Sequence, residues 1–120
     1  MLFRSHLSRL YWYTIEFGLV RQANGLRAYG AGILSSSGEL KYSVTSQEPN
    51  RVMLDILRAM RARYKIDSYQ QTYFVIDSFE SLFAATRIPF APLYERLRDT
   101  APTPADAVLP TDRVIGSPAG

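Results

Sequence analysis

The chain's 120 residues allow one ordinary domain with a single core, at the small end for an enzyme. Hydrophobic content of 47% and charged content of 21% are globular values, and the absence of cysteine excludes disulfides, thiolate zinc sites and cysteine nucleophiles. The net charge of +3 is spread along the chain with no basic stripe between exposed aromatics, so no nucleic-acid partner is expected.

Leu7, Leu10, Thr14 and Phe17 recur at helical spacing, as do Tyr11, Ile15 and Leu19, which predicts a largely buried first helix whose apolar pattern continues past Gly18. Glu16 is alone in this run. Helical spacing puts it one turn from Trp12 on one face, an indole beside a carboxylate in apolar surroundings. A buried carboxylate needs a cation, a cluster of donors, a proton or a metal. An ion pair with Arg9 or Arg21 and a metal-ligand role both satisfy that need.

Asn24-Gly25 is a tight-turn signal and predicts a short hairpin between residues 18–23 and 26–29. Gly30, Gly32 and Gly38 then bracket an apolar pair and the triplet Ser35-Ser36-Ser37. Without a third glycine in strand–helix context, this is a structural loop rather than a phosphate cradle. Residues 41–44 read as extended, and Ser46-Gln47-Glu48-Pro49 as the start of a helix carrying Val52, Met53, Ile56, Leu57 and Met60 on its apolar stripe. Tyr64, Ile66 and Ser68 alternate with charged residues and predict a short strand, as does the β-forming run 72–76. Asp77 and Glu80 have the spacing of a capping box before a helix through Phe79, Leu82 and Phe83; Pro89 and Pro92 end it and begin a last helix around Leu93, Tyr94 and Leu97. From Thr100 the chain is proline-rich and aperiodic, so 1–100 is expected to form the folded unit and 101–120 a mobile tail.

The inventory for chemistry is short. His6 is the only histidine, ten residues before Glu16, or about 15 Å along a continuous helix. The two cannot hold one ion unless the helix breaks, and neither an iron site of two histidines and a carboxylate nor a zinc site can be completed. The serines lack a histidine base. The residues therefore favour part of an active site, with missing pieces supplied from elsewhere.

Leu10-Tyr11-Trp12-Tyr13-Thr14-Ile15-Glu16-Phe17-Gly18-Leu19, then Ala28-Tyr29-Gly30-Ala31-Gly32-Ile33-Leu34-Ser35-Ser36-Ser37-Gly38-Glu39-Leu40, and later Tyr73-Phe74-Val75-Ile76-Asp77-Ser78-Phe79 resemble, in that order, the pterin-dependent aromatic amino acid hydroxylases, and among them the bacterial members that act on phenylalanine. The resemblance runs over residues 8–97 and implies the C-terminal part of that family's catalytic domain, an α+β fold, mostly helical with short β-hairpins. It implies ring hydroxylation of L-phenylalanine to L-tyrosine with O2, non-haem Fe(II) and tetrahydrobiopterin. Carried onto this sequence, it makes Glu16 the carboxylate iron ligand and places Trp12, Phe17, Gly32, Ser35 and Ile66 around the substrate. Tyr11 falls on the pterin side, and Glu39 and Tyr64 support the site from behind. The family's two iron-binding histidines belong to an upstream motif that these 120 residues lack, as they lack the arginine and threonine that grip the substrate carboxylate, and His6 matches neither histidine.

Two readings follow: a truncated phenylalanine hydroxylase, inactive alone, or a non-catalytic interaction module or fragment of one. Tyrosine and tryptophan hydroxylation are the alternatives within the enzyme class. With no signal-peptide core and no run near the ~20 apolar residues that span a bilayer, a cytoplasmic protein without a membrane partner is expected. Like the bacterial members it resembles, the sequence shows no C-terminal tetramerisation helix, which predicts a monomer for the complete domain.

Overall fold

In the computed structural model, which describes residues 2–87, 89–98 and 100–115, the first helix is α1 (Leu2–Tyr11) and passes directly into a π-helical segment, Trp12–Glu16. Phe17 N–H reaches back five residues to the Trp12 carbonyl at 2.9 Å, and the Thr14 hydroxyl donates to the Leu10 carbonyl at 2.7 Å. A back-bonding threonine bends a helix, and a π turn inside one is frequent at functional sites. The helix ends at Glu16 instead of running through Gly18, because Leu19 and Val20 are claimed by the sheet.

That sheet has four strands in the order β2-β1-β4-β3: β1 (Leu19–Gln22), β2 (Gly25–Ala28), β3 (Asn50–Met53) and β4 (Thr72–Ile76). The expected hairpin forms, with Leu19 opposite Ala28 and Gln22 opposite Gly25. Its loop is Ala23-Asn24, and Gly25 opens β2 at φ +127°, a conformation side chains rarely adopt. β4 lies parallel to both β1 and β3, and all five of its residues are buried. A central parallel strand covered on both faces needs a continuous apolar run, which is what Tyr73-Phe74-Val75-Ile76 supplies.

Alternation along β4 divides the core. Phe74 joins Leu10, Tyr13, Val52, Met60 and Leu97 on one side; Tyr73 and Val75 join Leu19 and Ile33 on the other. Residues 29–45, expected as a loop and then an extended segment, are helical: α2 (Ala31–Leu34) and α3 (Ser37–Thr45), the second capped by the Ser36 hydroxyl, which accepts from Glu39 N–H at 3.3 Å. The stripe from Val52 to Met60 begins in β3 and continues in α4 (Ile56–Arg61), with Asp55 as its cap. Helical spacing and a strand-to-helix junction look alike over so few residues. Residues 64–68 are irregular instead of a strand. The cap of α5 (Phe79–Thr86) is a reciprocal Ser78–Ser81 pair, and Asp77 instead binds Arg21 at 2.7 Å. The last helix, α6 (Phe90–Leu97), follows Pro89 as expected, with Leu93 and Leu97 in the core; the Tyr94 side chain lies outside the described residues.

Residues 103–115 differ from the expected mobile tail in that they are fastened to the body. Thr103 exchanges backbone bonds with Arg61 and Arg63, the Ala105 carbonyl accepts from Thr72, and Met53 N–H reaches the Arg113 carbonyl at 2.8 Å. Val114 pairs with Val52, covering the open edge of β3. Asp112 forms a buried ion pair with Arg58 at 2.9 Å, its carboxylate also accepting from Leu109 N–H at 2.8 Å. Proline and alanine hide such a segment from composition because its bonds are made by backbone. Residues 116–120 of the expected tail lie outside the described residues.

Candidate active site

The π register decides what the apolar run presents. It brings the rings of Trp12 and Phe17, five residues apart, to a centroid separation of 4.6 Å, while Tyr13 turns into the core against Phe74. Trp12 also stacks on Tyr64, centroids 4.3 Å apart and planes 16° from parallel. Its indole N–H donates to Gln70 Oε1 at 3.1 Å. Trp12, Phe17 and Tyr64 thus form one aromatic wall from residues about fifty positions apart.

Glu16 ends the π segment, half-buried. Among the described residues its carboxylate takes no hydrogen bond and no ion pair; Arg21, one of the cations the sequence offers, is bound to Asp77. The backbone of Glu16 and Phe17 is held close by α2. A Cβ on Gly32 would lie 2.7 Å from Phe17 Cζ, and one on Gly30 only 2.4 Å from the Glu16 carbonyl oxygen. These glycines serve close packing of α2 on the π segment, not a phosphate.

The remaining sequence-derived residues scatter around this centre. Ser35 is exposed and donates to the Gly32 carbonyl at 3.0 Å. Ile66, 79% exposed, borders with Tyr64 and Arg9 an open cavity of about 640 Å³. Tyr11, 51% exposed, faces a different, apolar groove with Leu7, Ile15 and Phe83. Glu39 is 5% exposed, and one carboxylate oxygen accepts from Tyr73 O–H at 2.6 Å and from Gln70 N–H at 3.0 Å. Burial, and then the bond to Glu39, hold the Tyr73 hydroxyl protonated by raising its pKa well above the ordinary tyrosine value. The Tyr29 hydroxyl is pushed up to about 12 by burial.

Gln70 escapes a reading of the sequence. It sits in an irregular stretch with no periodicity, and its partners are 58 and 31 positions away.

His6 does not join Glu16. It is 3% exposed inside α1, and burial, with the Arg9 charge adding, lowers its pKa. Among the described residues no three His, Cys, Asp or Glu side chains converge to hold a metal ion. Glu16 fits one position of an iron site, and these residues do not fit a complete one. No helix among the described residues is long and apolar enough to cross a membrane.

Comparison with known proteins accounts for such a one-sided site. The phenylalanine-4-hydroxylases of Chromobacterium violaceum and Ralstonia nicotianae are each 55% identical over 111 residues, 92% of this chain. The chain spans only 37% and 36% of their lengths. The iron- and phenylalanine-bound crystal structure of the C. violaceum enzyme superposes with a TM-score of 0.92 at 54% identity, covering 93% of this chain and 42% of that one. Residues 4–96 match the family model of biopterin-dependent aromatic amino acid hydroxylases. With that match over most of its length, this α+β unit is placed: the chain belongs to the biopterin-dependent aromatic amino acid hydroxylase family.

Proposed function

We propose that this chain forms the carboxylate-and-aromatic side of the catalytic domain of a cytoplasmic, monomeric phenylalanine 4-monooxygenase of phenylalanine catabolism. The overall reaction inserts one atom of O2 into the ring of L-phenylalanine to give L-tyrosine; a bound tetrahydrobiopterin would supply the two electrons that reduce the other oxygen atom. The observation that carries the reading is Glu16, which has no protein partner among the described residues and lies on the π segment that carries Trp12, next to Phe17, two members of the aromatic wall. An unpaired, half-buried carboxylate beside a flat apolar surface suits a cation next to an aromatic substrate.

In this reading Glu16 is one ligand of Fe(II), and the two histidines that complete the set come from outside these 120 residues. Trp12 and Phe17 hold the substrate ring by stacking and edge contacts. Gly32 keeps α2 close to Phe17; Ser35 and Ile66 border the substrate, and Tyr11 meets the pterin. Tyr64 backs Trp12, and Glu39 fixes the segment behind it. This chain's contribution is orientation, where a misplacement of ~1 Å can cost ~100-fold in rate.

The test is a chimera in which residues 4–97 replace the matching stretch of the C. violaceum enzyme. Supplied with Fe(II), tetrahydrobiopterin and O2, it is expected to convert phenylalanine to tyrosine. A folded chimera that hydroxylates tyrosine or tryptophan in preference to phenylalanine would overturn the substrate assignment.

A further inference from the structure

The chain has one tryptophan, and what holds it is a residue so far without a role. Gln70 is 1% exposed and uses three of its polar groups. Its side-chain Nε2 donates to the Lys65 carbonyl at 2.7 Å, closing its own loop; its Oε1 accepts from the Trp12 indole at 3.1 Å; its backbone N–H donates to Glu39 at 3.0 Å. Residues 63–71 contain no helix or strand. The start of this loop is tied by Arg63 N–H to Thr103 and by the Tyr13 hydroxyl to the Arg63 carbonyl, and its end by Asn50 N–H to Gln71. Between those ties, Gln70 fixes the path. The same loop carries Tyr64, the ring on which Trp12 stacks.

The anchor is Glu39. Among the described residues it has no cation; its buried carboxylate is balanced by the Tyr73 hydroxyl on β4 and the Gln70 amide. Bonds to an ionised group are short and directional, and a buried carboxylate that lost one would be left unsatisfied. An indole stacked on Tyr64 and tilted against Phe17 but free at its N–H could still slide in its plane, and the Gln70 bond removes that freedom.

We infer that Gln70 is the positioning residue of the aromatic wall: clamped by Glu39 through its backbone, it sets the in-plane orientation of Trp12 through its side chain and holds Tyr64's loop against the indole before any substrate arrives. Its consequence for ring orientation rests on the function proposed above; the mechanical coupling from Glu39 through Gln70 to Trp12 does not.

The coupling can be read on the chain itself, since a single tryptophan gives a single indole N–H resonance in a ¹⁵N-labelled sample. Gln70→Leu, with far-UV circular dichroism unchanged, is expected to speed exchange of that proton at least ~10-fold. Glu39→Ala should do the same although no bond joins Glu39 to Trp12, while Glu39→Gln, which keeps an acceptor oxygen at that reach, should retain most of the protection. Indole exchange unaltered in Gln70→Leu or in Glu39→Ala overturns the inference. Should these variants not fold, the unaltered chain still decides. Corrected for the intrinsic rates of the free groups, the Gln70 backbone amide and the Trp12 indole proton are expected to be protected within about threefold of each other, and an indole more than ~10-fold less protected than that amide contradicts the clamp. None of these readouts needs iron, pterin or turnover. A chain that passes here while the chimera makes no tyrosine separates the two claims.

Discussion

At the scale of single residues, the site depends on what is missing from side chains as much as on what is present. Gly30 and Gly32 let α2 touch the Glu16–Phe17 backbone, but they differ in what a methyl group would strike. At Gly32 it meets the Phe17 ring at 2.7 Å and the Glu16 carbonyl oxygen only at 3.0 Å; at Gly30 all three nearest atoms are Glu16–Phe17 backbone, at 2.4–2.6 Å, and cannot move without moving the π segment. Gly30→Ala should therefore lose at least the ~1–3 kcal/mol typical of overpacking, and more than Gly32→Ala, in chemical denaturation. Equal losses would contradict the packing described. His6 gives a second handle. Burial holds its folded pKa below the ordinary value of 6.5, so between the two values the unfolded chain binds more protons and stability falls as pH drops through 6.5. Thermal melts from about pH 8 down to about pH 5.5 should show that loss, and His6→Gln should lessen it. A parallel profile for His6→Gln would show that the histidine is not held neutral.

At the scale of elements, sequence periodicity was informative where an element is set by its own residues. The hairpin, β4, α5 and α6 were legible because turn chemistry, a β-forming run and prolines act locally. The π segment was not: helical spacing gives Trp12 and Glu16 as neighbours, whereas the extra residue in the turn pairs Trp12 with Phe17. Nor was the path of residues 103–115, whose fastening is by backbone bonds to Arg61, Arg63 and β3, by side-chain bonds from Asn50, Arg58 and Thr72 to its carbonyls, and by one ion pair with side chains only 7% and 4% exposed. Removing one member of such a pair strands the other. Asp112→Ala is expected to cost about 3–5 kcal/mol and to expose this segment to limited proteolysis ahead of the rest of the chain. Cleavage no faster than in the unaltered protein would mean that Asp112 does not hold it down. Within the candidate site, Glu16, Trp12 and Phe17 are proposed from the motif's resemblance to the family. Gln70 could not be, because the contacts that tie it to Trp12 and Glu39 join distant parts of the chain.

At the scale of the whole molecule, the chain matches about two-fifths of a solved phenylalanine hydroxylase almost end to end, and its surface fits that share. Tyr11, Ile15 and Phe83 are exposed around an apolar groove, and Glu16 has no partner among the described residues. Both are intelligible if this unit is one side of a larger catalytic domain. The central claim is that Glu16 is a ligand of that domain's iron, and the most direct test is an Fe(II) titration of the chimera with and without Glu16→Gln. The amide keeps the side chain's size and removes its charge. The unaltered chimera should bind iron 1:1, and Glu16→Gln should reduce the affinity at least ~10-fold with circular dichroism unchanged. Equal iron affinity in the two proteins would contradict it.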